Sequence, residues 1–240
     1  VSIHGTGRTD RTFCIPQVQA LAEHLGKVPP HQAVWFGDLI DAGARVSRIG
    51  TRASDFAHTV AQCLHGRPSQ HVARAFLTIA DVLHRFINGV DGVIAYFIPS
   101  HRAAIIRERL RHTLAELSDR GDEIVLISES LGCLVAYDVL REHANEYNLV
   151  AWITLGCALK MVVEGKQRTA NLGAINPQTV QQWLNIYAPR DPVASPIASV
   201  FPDYPIHDWR VDGGHDRLNA HRYWSNPRVT EMIARVFLSF

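Results

Sequence analysis

The sequence predicts an α/β fold with a mostly parallel central sheet of about six strands flanked by helices. Three observations carry that prediction. Strand-length apolar runs alternate along the chain with stretches of helical spacing. Residues 123–143 switch abruptly from an unbroken apolar run to a helical pattern across a tight turn. Finally, 240 residues with 47% hydrophobic and only 20% charged side chains can build one sizeable core.

The elements follow in order. Val-Ser-Ile at residues 1–3 reads as a short strand running into the glycine bend His4-Gly5-Thr6-Gly7, and Ala33 to Gly37 is a second strand-length run. From Leu39 the text becomes irregular, and residues 53–87 carry mixed helical spacing broken at Gly66-Arg67-Pro68. Residues 39–98 therefore read as a helical insertion or lid within a single domain spanning 1–240. Ile105, Ile106, Leu110, Leu114 and Leu117 recur at three to four residues and predict an amphipathic helix, with Arg102, Arg107, Arg109 and Arg111 on its solvated side. Ile124 to Ile127 is a strand, and Leu134, Val135, Val139 and Leu140 belong to the helix after it. Val150 to Gly156, Trp183 to Asp191 and the His207–Val211 run supply further strands. A closing helix from about Pro227 to Leu238 opens on a proline at its first turn.

Composition also excludes functions. A formal net charge of +1 supplies no broad positive field, so nucleic acid is not an expected partner. Cys14, Cys63, Cys133 and Cys157 show no C-x-x-C pairing, which points to a reducing, cytoplasmic setting. No stretch is long and apolar enough for a transmembrane helix, and no leader pattern is visible. Because the chain opens at Val1, inside an apolar segment, a trimmed start is expected and an upstream signal would be invisible. The 13 histidines raise a metal reading, with His215, Asp216 and His221 close together, but no zinc-type spacing accompanies them. No metal and no cofactor is expected.

Ser128-Glu129-Ser130-Leu131-Gly132 is the strongest chemical signal. A serine at the apex of a strand-to-helix turn stands clear of the sheet near free helix N–H groups, as a nucleophile must. The competing assignment of Ser130 is a helix N-cap, and on this segment alone the two are near even. The His4–Gly7 loop tips the balance, because in a parallel sheet it shares an edge with Ser130. It offers an oxyanion hole from the N–H groups of Thr6 and Leu131, with His4, Gly5, Gly7 and Gly132 shaping the loop and the turn. A serine needs a base and an orienting acid. Asp191, in a turn after a strand, is preferred to Asp203 and Asp208. His207 falls at a strand start, on the wrong edge, whereas His215 and His221 both remain as bases, the latter slightly favoured. Glu129 is a candidate modulator: its charge beside the nucleophile disfavours an oxyanion unless it points away or pairs with an arginine, and it could exclude anionic substrates.

These segments together resemble serine hydrolases of the α/β-hydrolase superfamily, in particular bacterial lipase-like and esterase-like members with an early H-G-T-G loop. The resemblance rests on His4-Gly5-Thr6-Gly7, on the run from Ile127 to Leu140, on Ile153-Thr154-Leu155-Gly156, on Trp183 to Tyr187 with Arg190-Asp191-Pro192-Val193, and on the segment from His221 to Val229. Asp91 to Tyr96 is similar to a segment preceding the nucleophile in that family, while residues 39–80 match nothing in it. Ser128 stands where the family usually has glycine, and Glu129 where it usually has histidine. The resemblance implies a triad of Ser130, Asp191 and His221, which selects His221 over His215, and cleavage of an ester or thioester through an acyl-enzyme on Ser130. The expected substrate is a small acyl compound, uncharged and partly apolar. Acyl transfer or lactone formation with the same triad, and a non-catalytic binding or scaffold role on the same fold, are the alternatives. A homo-oligomer is compatible with the sequence.

Overall fold

In the strands Ile124–Glu129, Leu149–Leu155 and Gln182–Tyr187, Ile, Val, Leu and Trp predominate, a composition suited to a sheet covered on both faces. The computed structural model describes residues 1–4, 12–39, 101–160, 180–202, 204–214 and 220–240. It contains a six-stranded sheet, entirely parallel: β1 (Ser2–Ile3), β2 (Ala33–Val34), β3 (Ile124–Glu129), β4 (Leu149–Leu155), β5 (Gln182–Tyr187) and β6 (Ile206–Arg210). The order across the sheet is β2-β1-β3-β4-β5-β6. All carboxyl ends thus lie on one edge, and β1 and β3 are neighbours there.

Helices cover both faces. On one, α2 (His101–Asp119) and α3 (Leu131–His143) pack on Ile124, Leu126, Trp152 and Trp183; on the other, α1 (Ile15–Leu25) and α4 (Pro227–Phe237) pack on Val125, Ile127, Ile153, Leu184 and Ile186. The alternation of β3 between the two sets is the period-two rule of a strand. In α2 the buried stripe is Ala103, Ile106, Leu110 and Leu114, while Ile105 and Leu117 lie at its half-exposed margin. One helix arginine on the solvated side is tied down. Arg109 forms a bidentate pair with Asp38 at 2.7 and 2.8 Å and also donates to the Trp35 carbonyl at 2.9 Å. This pair fastens the segment after β2 to α2 and holds the Asp38 carboxyl below the usual range.

A polar row crosses the sheet near its carboxyl edge. Ser128, Thr154, Asn185 and Asp208 are in register on four adjacent strands. Thr154 donates to Asn185 Oδ1 at 3.0 Å, and the Asn185 amide donates to Asp208 at 2.7 Å and to the Ser195 carbonyl at 3.0 Å. Asp208 also accepts the N–H groups of Ile197 and Ala198, both at 2.9 Å. The row therefore anchors the loop that follows β5. Residues 40–98 of the expected insertion lie outside the described residues, as does Cys63. Among those described, Cys14, Cys133 and Cys157 are free and buried, and no helix is long and apolar enough to cross a membrane.

Leu110 is fully buried between α2 and the sheet. Leu110→Ala should lower the unfolding free energy by roughly 2–5 kcal/mol in urea titrations, the range for a truncated core leucine.

Candidate active site

Ser130 has φ 51° and ψ −119°, the only positive φ at a non-glycine among the described residues. Such a conformation costs on the order of 1–3 kcal/mol and persists only where surroundings impose it. Here the Ser130 N–H donates to the Leu155 carbonyl at 2.9 Å, and its own carbonyl accepts from Cys133 N–H at 3.0 Å. The hydroxyl makes no capping bond to α3, so the N-cap assignment does not describe this serine. Its conformation is that of a sharp strand-to-helix elbow.

Gly132 explains how closely the first strand approaches this elbow. A Cβ there would lie 2.7 Å from the His4 carbonyl oxygen and 2.8 Å from that of Ile3, distances no side chain can meet. His4 itself is buried, stacked on Phe36 with ring centroids 4.1 Å apart, and accepts the Phe36 N–H on Nε2 at 3.2 Å. The loop it introduces thus starts beside the elbow. Thr6, Gly5 and Gly7 lie outside the described residues. Leu131, the first residue of α3, has an N–H that the helix itself cannot satisfy. Ser128, where a glycine is usual, is fully buried and accepts the Trp152 indole N–H at 2.8 Å.

Asp191 sits in the turn after β5, with its side chain wholly inaccessible. Three donors surround the carboxylate: His221 Nδ1 at 2.8 Å, the Tyr223 hydroxyl at 2.7 Å and the Val193 N–H at 2.9 Å. The Tyr223 oxygen in turn accepts the Ala188 N–H at 3.0 Å, tying the turn of residues 223–225 to the end of β5. Because an ionised carboxylate can only accept, Nδ1 carries the proton of a neutral His221 and Nε2 presents its lone pair. Nε2 is buried and has no hydrogen-bond partner among the described residues. Burial opposes the imidazolium, but the hydrogen bond and charge of Asp191, then the charge of Glu129, outweigh it, and His221 titrates above an ordinary histidine.

The ring of His221 lies over the end of β4. Gly156, at φ +60°, has no room for a Cβ, which would fall 2.8 Å from Tyr223 Cε2 and 2.9 Å from His221 Cε1. Gly156 directly follows Leu155, whose carbonyl holds Ser130. Ser130 and the His221 ring are thus both tied to the Leu155-Gly156 end of β4, and no hydrogen bond joins them.

The rivals separate. Asp208 is consumed by the polar row, and His207 is the second residue of β6, at the opposite edge and exposed. Asp203 and His215 lie outside the described residues. The charged groups acting on Glu129 are His221 and Asp191, not an arginine, and the Trp224 side chain bears on its carboxyl as well. Among the described residues no group of three or more His, Cys, Asp or Glu side chains is placed to hold a metal ion.

Tyr223, Trp224 and Gly156 were not singled out by the sequence as parts of the site. Their signals were present: two aromatics directly after His221-Arg222, and a glycine closing a strand run. Tyr223→Phe leaves the buried Ala188 N–H without a partner and Asp191 Oδ2 with His221 alone. It should cost about 1–3 kcal/mol of stability by chemical denaturation, while preserving the helical circular dichroism. No known protein-family model, curated protein or solved structure matches this chain.

Proposed function

We propose that the protein is a serine hydrolase of the α/β-hydrolase type that cleaves a carboxylic ester or thioester through an acyl-enzyme on Ser130. The single observation that carries this reading is the pairing, on one sheet edge, of a strained serine whose hydroxyl caps nothing with a buried Asp191–His221 pair whose Nε2 is bare. The six-stranded parallel sheet and the elbow between β3 and α3 support it further.

In this mechanism His221 Nε2 takes the Ser130 proton as Oγ attacks the acyl carbonyl, and Asp191 stabilises the imidazolium that forms. The Leu131 N–H, with a second donor from the loop after His4, receives the oxyanion. His221 then returns the proton to the leaving oxygen or sulfur, and a water molecule, activated by the same Nε2, releases the acid. Tyr223 holds Asp191 in place and, because burial and the neighbouring carboxylate push its phenol well above the usual range, remains a donor throughout.

A fluorophosphonate probe should add one adduct to the intact chain, located on Ser130 by peptide mass, and Ser130→Ala should show none; an unlabelled parent chain would sink the reading. With nitrophenyl esters, Ser130→Ala and His221→Ala should each lose roughly 10³-fold or more in kcat. The base must be neutral, and its imidazolium is stabilised in the folded protein. Hence kcat/KM should rise with pH through a midpoint above about 6.5, the ordinary histidine value.

A further inference from the structure

Glu129 ends β3 and immediately precedes Ser130. Side chains two apart on a strand share a face, so Glu129 follows Ile127 toward the layer in which Ala220 and Tyr223 pack, the side from which His221 approaches. Its register partner is Leu155, and the next residue, Gly156, touches the His221 ring. The Trp224 side chain, three residues beyond His221, also bears on the Glu129 carboxyl. The acid therefore lies against the same short segment that supplies the base.

We propose that Glu129 makes this site charge-selective: with Asp191 it surrounds His221 with two carboxylates, so that uncharged and cationic acyl esters are processed in preference to anionic ones. The inference rests on the hydrolase reading and names the substrate class for that site. The charged and titratable groups facing Glu129 are His221 and Tyr223 from the segment before α4 and Asp191 from the turn after β5; those facing His221 are Asp191, Glu129 and Tyr223. Arg190 and Arg222, next in the chain to Asp191 and His221, are both exposed. An acyl chain ending in a carboxylate thus meets net negative charge at a partly buried site, where like charges are screened less than at the open surface. A fixed charge next to an oxyanion would slow any serine nucleophile, yet the same charge favours the imidazolium that appears in the same step. Burial raises the Glu129 carboxyl and Asp191 raises it further, whereas His221 lowers it, so Glu129 is most firmly ionised when His221 is protonated.

The test uses nitrophenyl esters of matched length: pentanoate, the glutarate monoester, and 4-(trimethylammonio)butanoate. In the parent protein at low salt, kcat/KM for the neutral and cationic esters should exceed that for the anionic one by about tenfold or more, and the gap should narrow toward about 0.5 M salt. In Glu129→Gln the gap should close to within about threefold, and the His221 midpoint, followed by NMR and in the pH profile, should fall by roughly 0.5–1 on the pH scale. A parent that treats the three esters alike overturns the inference even if the variant fails to fold, and so does a folded variant that keeps the parent's gap. If no ester is turned over and no probe labels Ser130, the hydrolase reading fails, and charge selection falls with it. An unmoved His221 NMR midpoint in Glu129→Gln separately removes the two-carboxylate field.

Discussion

Burying the Asp191 carboxylate would cost several kcal/mol without donors around it, and two separate parts of the chain supply them. His221 and Tyr223 come from the segment before α4, Val193 from the turn itself, and Ala188 at the end of β5 holds Tyr223 from behind. The turn is not free to wander, because the polar row of Thr154, Asn185 and Asp208 grips the chain a few residues later at Ser195, Ile197 and Ala198. Satisfying one charge thereby fixes the position of a histidine 30 residues away in sequence.

The serine is fixed by a different kind of constraint, which is steric. Its backbone is held in an unfavourable region by a bond to β4 on one side, and Gly132 lets the β1 carbonyls come against the first turn of α3 on the other. The two halves of the site meet at Leu155-Gly156, where one residue bonds the elbow and the next receives the imidazole ring. Geometry on this edge is thus set by main-chain contacts in β1, β3 and β4, which loops elsewhere cannot easily disturb.

Much of the framework is legible in the sequence because strand and helix periods differ sharply. The runs from Ile124 and from Val150 are apolar enough to be read without partners, and the observed spans of β3 to β6 depart from the expected ones by at most four residues at either end. The elbow could be placed because it joins the two periods. What could not be read was anything decided between strands. Nothing local says that Thr154, Asn185 and Asp208 share a register line, that Arg109 would pair with Asp38, or that the hydroxyl of the core residue Tyr223 would reach the acid. Each of these depends on distances across the sheet, to which hydrophobic pattern is blind. Glu129 looked anomalous for the same reason: its partners, Trp224 and His221, come from the far end of the chain.

The bond between Trp152 and Ser128 links two positions that a sequence would treat as independent. Trp152 is fully buried and stacks on Trp183 with ring centroids 4.1 Å apart, so its indole N–H has no route to solvent and relies on the Ser128 oxygen. Glycine in place of Ser128 would strand that N–H, and replacing the tryptophan first would leave the serine hydroxyl with only its long contacts to Cys133 and the Ile153 carbonyl. Either step alone passes through a less stable protein. The two positions are therefore coupled in energy, and glycine in the first place should cost less stability where the second carries no indole.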